Sequence, residues 1–251
     1  MLPRLLGGRH RVTARGRRDR HRAQSSIIGV AVLVAVTVLS VGALTMAAGT
    51  FVSDGVDASN AQRVADDLDR IDDGDGATRV EFSRGTLRVE PRTVRLLREG
   101  VTVVDVEADA LVYESGGRRV TSLNGLVVDG RGNRSRTRGA LPVVAGDGRL
   151  LVDIVALNAS GPTAVGGSEP VAVTVRTNAT HEYRAFEEDR YAVAIETATP
   201  GAWDRAFAAA GLERSRRDFD GDGVPSVVVS VPESVVVDLA VHDLRAVVRR
   251  G

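Results

Sequence analysis

Thr78–Val128 reads TRVEFSRGTLRVEPRTVRLLREGVTVVDVEADALVYESGGRRVTSLNGLVV. Valine and leucine recur beside charged residues in short runs, and Gly, Asn, Asp or Pro separates many of them. Such runs between turn residues mark β-strands. The strands predicted here are Arg79–Phe82, Thr86–Glu90, Thr93–Arg98, Val101–Val106, Ala110–Glu114, Arg119–Leu123 and Leu126–Val128. Downstream the pattern returns at Leu150–Leu157, Val171–Thr177, Tyr191–Thr197, Ser226–Val231 and Ser234–Val248. Regular short strands with tight turns predict an antiparallel sandwich or a rolled sheet. Thr199–Gly211 departs from the pattern and predicts a short helix, with Pro200 near its start and Gly211 beyond its end. Trp203 and Phe207, four apart, are placed to pack on a sheet. The polar, glycine-rich stretch Gly130–Gly139 holds four arginines and no acid, and reads as a solvated loop or a patch for a polyanion. It suggests a subdivision near residues 130–148.

Upstream of this block the period changes. Ala61, Val64, Ala65, Leu68 and Ile71 recur at helical spacing, with Arg63, Asp66, Asp67 and Asp69 between them, and the run Asp72–Gly76 ends the pattern. Further upstream, Ile27–Val52 (IIGVAVLVAVTVLSVGALTMAAGTFV) carries no charge. About 20 apolar residues span a bilayer as a helix. A continuous helix from Gln24 to Ile71 would reach roughly 70 Å at 1.5 Å per residue. The expected fold class is α+β: a long N-terminal transmembrane helix over 24–72, then a mostly antiparallel β ectodomain over 78–251 with one short helix.

Charge sets the orientation. The formal net charge is zero, yet residues 1–23 hold eight arginines and a single acid, Asp19. Without them 25 basic and 32 acidic residues remain, a net of −7. Arginines before an apolar span stay in the cytoplasm, so residues 1–23 read as a cytoplasmic leader and 78–251 as extracellular. The same position makes the basic run a topology signal, so nucleic acid is not an expected partner. Every basic residue is arginine and none is lysine, which fits a salt-loving organism with GC-rich DNA. The chain has no cysteine, which excludes disulfides, thiolate metal sites and cysteine nucleophiles.

Arg22-Ala23-Gln24-Ser25-Ser26 passes directly from the leader into Ile27-Ile28-Gly29-Val30. This junction resembles the class III signal of haloarchaeal type IV pilin-like and archaellin-like proteins. The resemblance implies cleavage by a prepilin peptidase between Ala23 and Gln24, with the apolar segment kept on the mature protein. It implies a cell-surface protein in the membrane, a minor or accessory subunit assembling with other pilin-like subunits through that segment. The alternative is a membrane-tethered β module that binds a ligand outside any filament. Ile28 stands where bacterial pilins carry glutamate, and Ser25–Gly29 only approximates the Ser-Pro-Val-Ile-Gly of many haloarchaeal pilins.

Two kinds of local motif carry chemistry. Asp218-Phe219-Asp220-Gly221-Asp222-Gly223 matches the opening of a calcium loop, with aspartates at alternate positions and a glycine for the tight turn. The twelfth position, where a bidentate glutamate belongs, is Val229. The motif reads either as a weak calcium site of Asp218, Asp220 and Asp222 or as an acidic hairpin turn. Asn133, Asn158 and Asn178 open Asn-x-Ser/Thr sequons that an exported domain offers for glycosylation, the last two expected at strand ends. Beyond the leader only His181 and His242 remain as histidines, and no Gly-x-Ser-x-Gly, His-Glu-x-x-His or phosphate-loop pattern occurs. No cofactor and no enzyme activity are expected.

Overall fold

Strand pairing organises most of the described residues. In the computed structural model the described residues are 36–40, 53–71, 76–167 and 169–250. The chain divides into two units, Met1–Val52 and Ser53–Gly251. Of the first unit only a helical turn at 36–40 is described. The second unit opens with helix α1 (residues 53–69). Then follow β1 (Gly76–Phe82), β2 (Gly85–Glu90), β3 (Thr93–Arg98), β4 (Val101–Glu107), β5 (Ala110–Ser115), β6 (Arg118–Leu123), β7 (Leu126–Arg131), β8 (Arg134–Gly139), β9 (Val143–Gly146) and β10 (Arg149–Ser160). The remainder is β11 (Ala164–Gly167), β12 (Val171–Asp189), β13 (Tyr191–Glu196), α2 (Pro200–Ala209), β14 (Glu213–Arg217), β15 (Ser226–Ser230) and β16 (Val235–Arg250).

The strands form three sheets. The first has the order β1-β12-β16-β10-β9, the second β11-β2-β5-β6-β7-β8 and the third β14-β15-β13-β3-β4. Neighbours are antiparallel except β10 and β16, which run parallel from Arg149 opposite Val236 to Ser160 opposite Val247. The stretch read as a solvated loop is the β7–β8 hairpin, with Leu126 opposite Gly139 and Arg131 opposite Arg134.

Two hydrophobic cores lie within this unit. Successive strand residues face opposite sides of a sheet, and the central strands of the second sheet use both sides. Ala110 and Val112 of β5 enter the first core, whereas Leu111 and Tyr113 enter the second. Leu126 and Val128 of β7 likewise oppose Val127. Strand β16 divides its loyalty along its length: Val235, Val237 and Leu239 lie in the first core, Leu244, Ala246 and Val248 in the second. The odd positions of its first half and the even positions of its second half are therefore the buried ones. Helix α2 closes the first core with Trp203 and Phe207, both fully buried, their rings 5.7 Å apart. Both pack as their spacing predicts.

Helix α1 corrects the expected fold class. The structure is mostly β, and no helix among the described residues is long and apolar enough to cross a membrane. The described helix over 53–69 spans about 25 Å at 1.5 Å per residue, not the roughly 70 Å of a helix over 24–72; most of residues 24–52 lie outside the described residues. The physical reason is burial. Ala61, Val64, Ala65 and Leu68 are fully buried in the second core of their own unit, so this stripe belongs to the β fold. Asp67, expected on the solvent face, is also buried, at 7% exposure. Burial pushes its carboxyl above the ordinary carboxylate range, against the backbone N–H of Glu81, which donates to its Oδ2 at 3.4 Å.

Other polar groups fix the helix in place. Ser115 Oγ donates to Asp57 Oδ1 at 2.7 Å, and Arg84 Nε lies 3.1 Å from the same oxygen. Asn60 Nδ2 donates to Ser83 Oγ at 2.8 Å. Gly116 has φ 55°, and a Cβ there would sit 2.0 Å from Asp57 Oδ2, so glycine is required where the β5–β6 turn meets α1.

Leu68→Ala, in the second core, and Phe207→Ala, in the first, each remove a fully buried side chain. Each is expected to cost about 2–5 kcal/mol, read as a lower urea midpoint of the full chain. A loss below about 0.5 kcal/mol at Leu68, the size of a surface substitution, would show that α1 is not part of this fold.

Candidate functional site

The aspartate motif forms the connection between β14 and β15. Asp218 turns back on its own loop: its Oδ1 accepts the Gly221 N–H at 2.7 Å and its Oδ2 the Gly223 N–H at 3.1 Å. The bond from Gly221 above all holds the Asp218 carboxyl below the usual range. Asp222 Oδ1 accepts the Val224 N–H at 2.8 Å, and Asp220 Oδ2 accepts from Arg95 Nη2 at 3.0 Å. Gly221 and Gly223, at φ 75° and 85°, supply the left-handed backbone that the turn needs. One carboxylate oxygen from each aspartate falls within 4.8 Å of the others, and all three side chains are exposed. The sequence reading thus named three residues that the fold brings together. These residues could hold a hard cation, using the lone pairs left free by the backbone and competing with Arg95. Val229, at the twelfth position, is buried in β15 opposite Val193 and adds no ligand.

Behind Asp220 and Asp222 opens a cleft of about 730 Å³, lined also by Arg92, Glu107, Asp109, Asn158, Glu196 and Arg245. Glu196 is 5% exposed and ends the buried run of β13. Its oxygens lie 3.9 Å from Arg92 Nη1 and 3.9 Å from Arg95 Nη1, too far for hydrogen bonds. Burial, reinforced by the charge of Asp220, pushes its carboxyl above the ordinary range, against the pull of Arg92. Arg92 is held by Glu90 at 2.5 Å, and Arg119 reaches the same Glu90 oxygen at 2.9 Å. Arg95 also lies over the Phe219 ring, 5.2 Å from its centroid. The cleft is therefore an ionic ladder from Glu90 to Asp220 that opens to solvent through its acidic rim. Sequence reasoning missed Glu196; the only signal was a carboxylate closing an otherwise apolar run.

The sequons occupy different settings. Asn133 is exposed at the tip of the β7–β8 hairpin. Asn158, near the end of β10, donates from Nδ2 to Asp243 Oδ1 at 2.7 Å. Asn178 lies mid-way along β12, opposite Arg245, and not at a strand end. Two arginines of the hairpin find acids on α1: Arg131 bonds Asp54 at 3.2 Å, and Arg138 pairs with Asp66. Ala23 and Gln24, the predicted processing junction, lie outside the described residues.

A family model matches residues 22–247, which is most of the chain. The chain belongs to DUF7289, a family of unknown function. No curated protein and no solved structure matches it. The DUF7289 match takes in the junction, the apolar segment and the β unit, and leaves out the leader up to His21. Both the aspartate loop and the cleft lie inside it.

The raised pKa of Glu196 gives the DUF7289 cleft a signed pH dependence. Its folded value exceeds the unfolded one, roughly 4.3 for a free glutamate. Holding the charged form in the fold therefore costs stability above the folded value, and that cost vanishes below the unfolded one. Glu196→Gln should raise the urea midpoint at pH 7, with the difference from wild type closing by about pH 4. A variant less stable at pH 7 would mean that the ion pairs to Arg92 and Arg95 outweigh the desolvation.

Proposed function

We propose that this DUF7289 chain is a pilin-like cell-surface protein, a minor or accessory subunit held in the membrane by its N-terminal apolar segment. Its β unit faces the outside and works by binding, not catalysis. The observation that carries the reading is the junction Arg22-Ala23-Gln24 followed by the uncharged stretch Ile27–Val52. An Arg-rich leader before such a stretch directs the following part out of the cytoplasm. Prepilin peptidase and other pilin-like subunits are the partners this reading requires. The stripe of α1 is already buried within its own unit, so assembly rests on the residues before Ser53.

That same burial favours a second reading, a monomeric β module tethered in lipid. The chain has no cysteine, so a single Leu39→Cys substitution reports neighbours of the apolar segment without background. Under oxidation a filament subunit yields disulfide-linked dimers, with itself or with a neighbouring subunit that carries a matching cysteine, whereas a tether yields monomers.

Processing is tested by mass spectrometry of the N-terminus of membrane-derived protein, with and without prepilin peptidase. A peptidase-dependent start at Gln24 is expected. A start at Met1 or near Ala48 overturns the pilin-like reading.

Export also predicts which sequon carries sugar. Asn133 projects from a hairpin tip, whereas the Nδ2 of Asn158 is engaged by Asp243. Glycopeptide mapping is expected to find Asn133 occupied in preference to Asn158; the reverse order would show that attachment precedes folding of β10.

A further inference from the structure

Two histidines far apart in sequence meet where the first sheet emerges from the second core. His181 of β12 and His242 of β16 stand directly opposite each other in the antiparallel register. Their Nδ1 atoms are 2.6 Å apart and their rings cross at 72°. They lie on the same face as Ala179 and Leu244, one row beyond the last buried side chains, with His181 exposed and His242 half-buried. On the adjoining strand β10, Asp153 Oδ1 lies 2.9 Å from His242 Nε2. Tyr183 stands edge-on to the His242 ring, its centroid 6.4 Å away.

Each part of this arrangement suits a soft-to-borderline divalent ion. Two ring nitrogens at 2.6 Å share one proton, and once it is gone their two lone pairs converge on one point. The Asp153 carboxylate favours the remaining proton of neutral His242 on Nε2, which makes Nδ1 the electron-pair donor. A carboxylate on the far nitrogen of a ligating imidazole fixes the tautomer and raises its basicity. Imidazole nitrogens select zinc, nickel and copper, whereas calcium prefers oxygen. Metal–nitrogen bonds of about 2.0–2.1 Å hold two such nitrogens roughly 2.9–3.4 Å apart. A small rotation of the exposed His181 ring supplies the difference.

We infer that His181 and His242 form a cross-strand site for a divalent transition-metal ion, oriented by Asp153 and completed by solvent. When the ion binds, His181 gives its Nδ1 proton to solvent and takes one from solvent on Nε2, so both imidazoles stay neutral and each offers Nδ1 to the ion. The ion ties β12 to β16 one row beyond Ala179 and Leu244. The site is separate from the aspartate loop, uses a different donor chemistry, and does not depend on where the chain resides.

The test is calorimetric titration of the full chain with Zn²⁺, comparing wild type with His181→Gln, His242→Gln and Asp153→Asn. One ion per chain is expected to be lost in either histidine variant, and the Asp153 variant should weaken its binding by about 10- to 100-fold. Millimolar Ca²⁺ should not displace it. An unchanged isotherm in both histidine variants overturns the proposal, because the ion then binds elsewhere, at the leader's His10 and His21 or at the aspartates. A second measurement needs no variant: electron paramagnetic resonance of the wild-type Cu²⁺ complex should show coupling to two imidazole nitrogens at one equivalent. An all-oxygen signal overturns the proposal even if a variant fails to fold.

Discussion

The parallel pairing of β10 with β16 is the constraint from which the two-core arrangement follows. Along both strands the apolar side chains lie first on one face and then on the other. Leu150, Val152, Ile154 and Ala156 of β10 feed the first core, and Leu157 the second. Strand β16 makes the same change between Leu239 and Leu244. Because the two strands are in register, they change face together. The pair thus belongs to two hydrophobic interiors on opposite faces, and the second sheet, whose central strands are apolar on both sides, serves both. Fully burying one valine or leucine is worth about 1.5–3 kcal/mol, so neither interior forms at full strength without the other half of these strands.

Helix α1 shows how local pattern and tertiary context divide the outcome. An apolar stripe at helical spacing is equally suited to a neighbour molecule and to a sheet of the same molecule. Here the polar groups decide. Asp57, Asn60 and Asp67 lie beside the stripe, and each finds its partner on β1, the β1–β2 turn or the end of β5. Buried carboxylates without such partners would be costly, so the helix fits this sheet better than it would fit a lipid or a bare helix. The unit Ser53–Gly251 therefore presents a polar, arginine-and-aspartate surface along the outer face of α1, where Arg131 and Arg138 of the β7–β8 hairpin are engaged.

Much of the β fold was legible because buried strands advertise themselves. Runs such as Thr93–Arg98 and Ser226–Val231 need apolar side chains to reach a core. The strands that escaped notice, β8, β9, β11 and β14, are all at sheet edges. Arg134–Gly139 and Glu213–Arg217 are almost wholly exposed, and backbone pairing to a neighbour holds them without any apolar signature. The second half of β12 is similar: residues 178–189 are mostly polar, and β16 templates them. The aspartate loop could be read because its ligand types are contiguous. Glu196 and the paired histidines could not, because their meaning comes from strands brought together by register, and register over 61 positions leaves no trace in a linear pattern.

The change of face in β16 also bears on how such a chain can vary. The stretch Ala240–Asp243 works as a phase marker between two sets of side chains. Gaining or losing one residue there would turn Leu244, Ala246 and Val248 outward and their charged neighbours inward, while the hydrogen-bonded ladder could still close. Loops such as Gly161–Thr163 face no such bookkeeping. Relatives should thus differ freely in loop length yet keep the spacing from Val235 to Val248 fixed, a count conserved more strictly than the residues being counted.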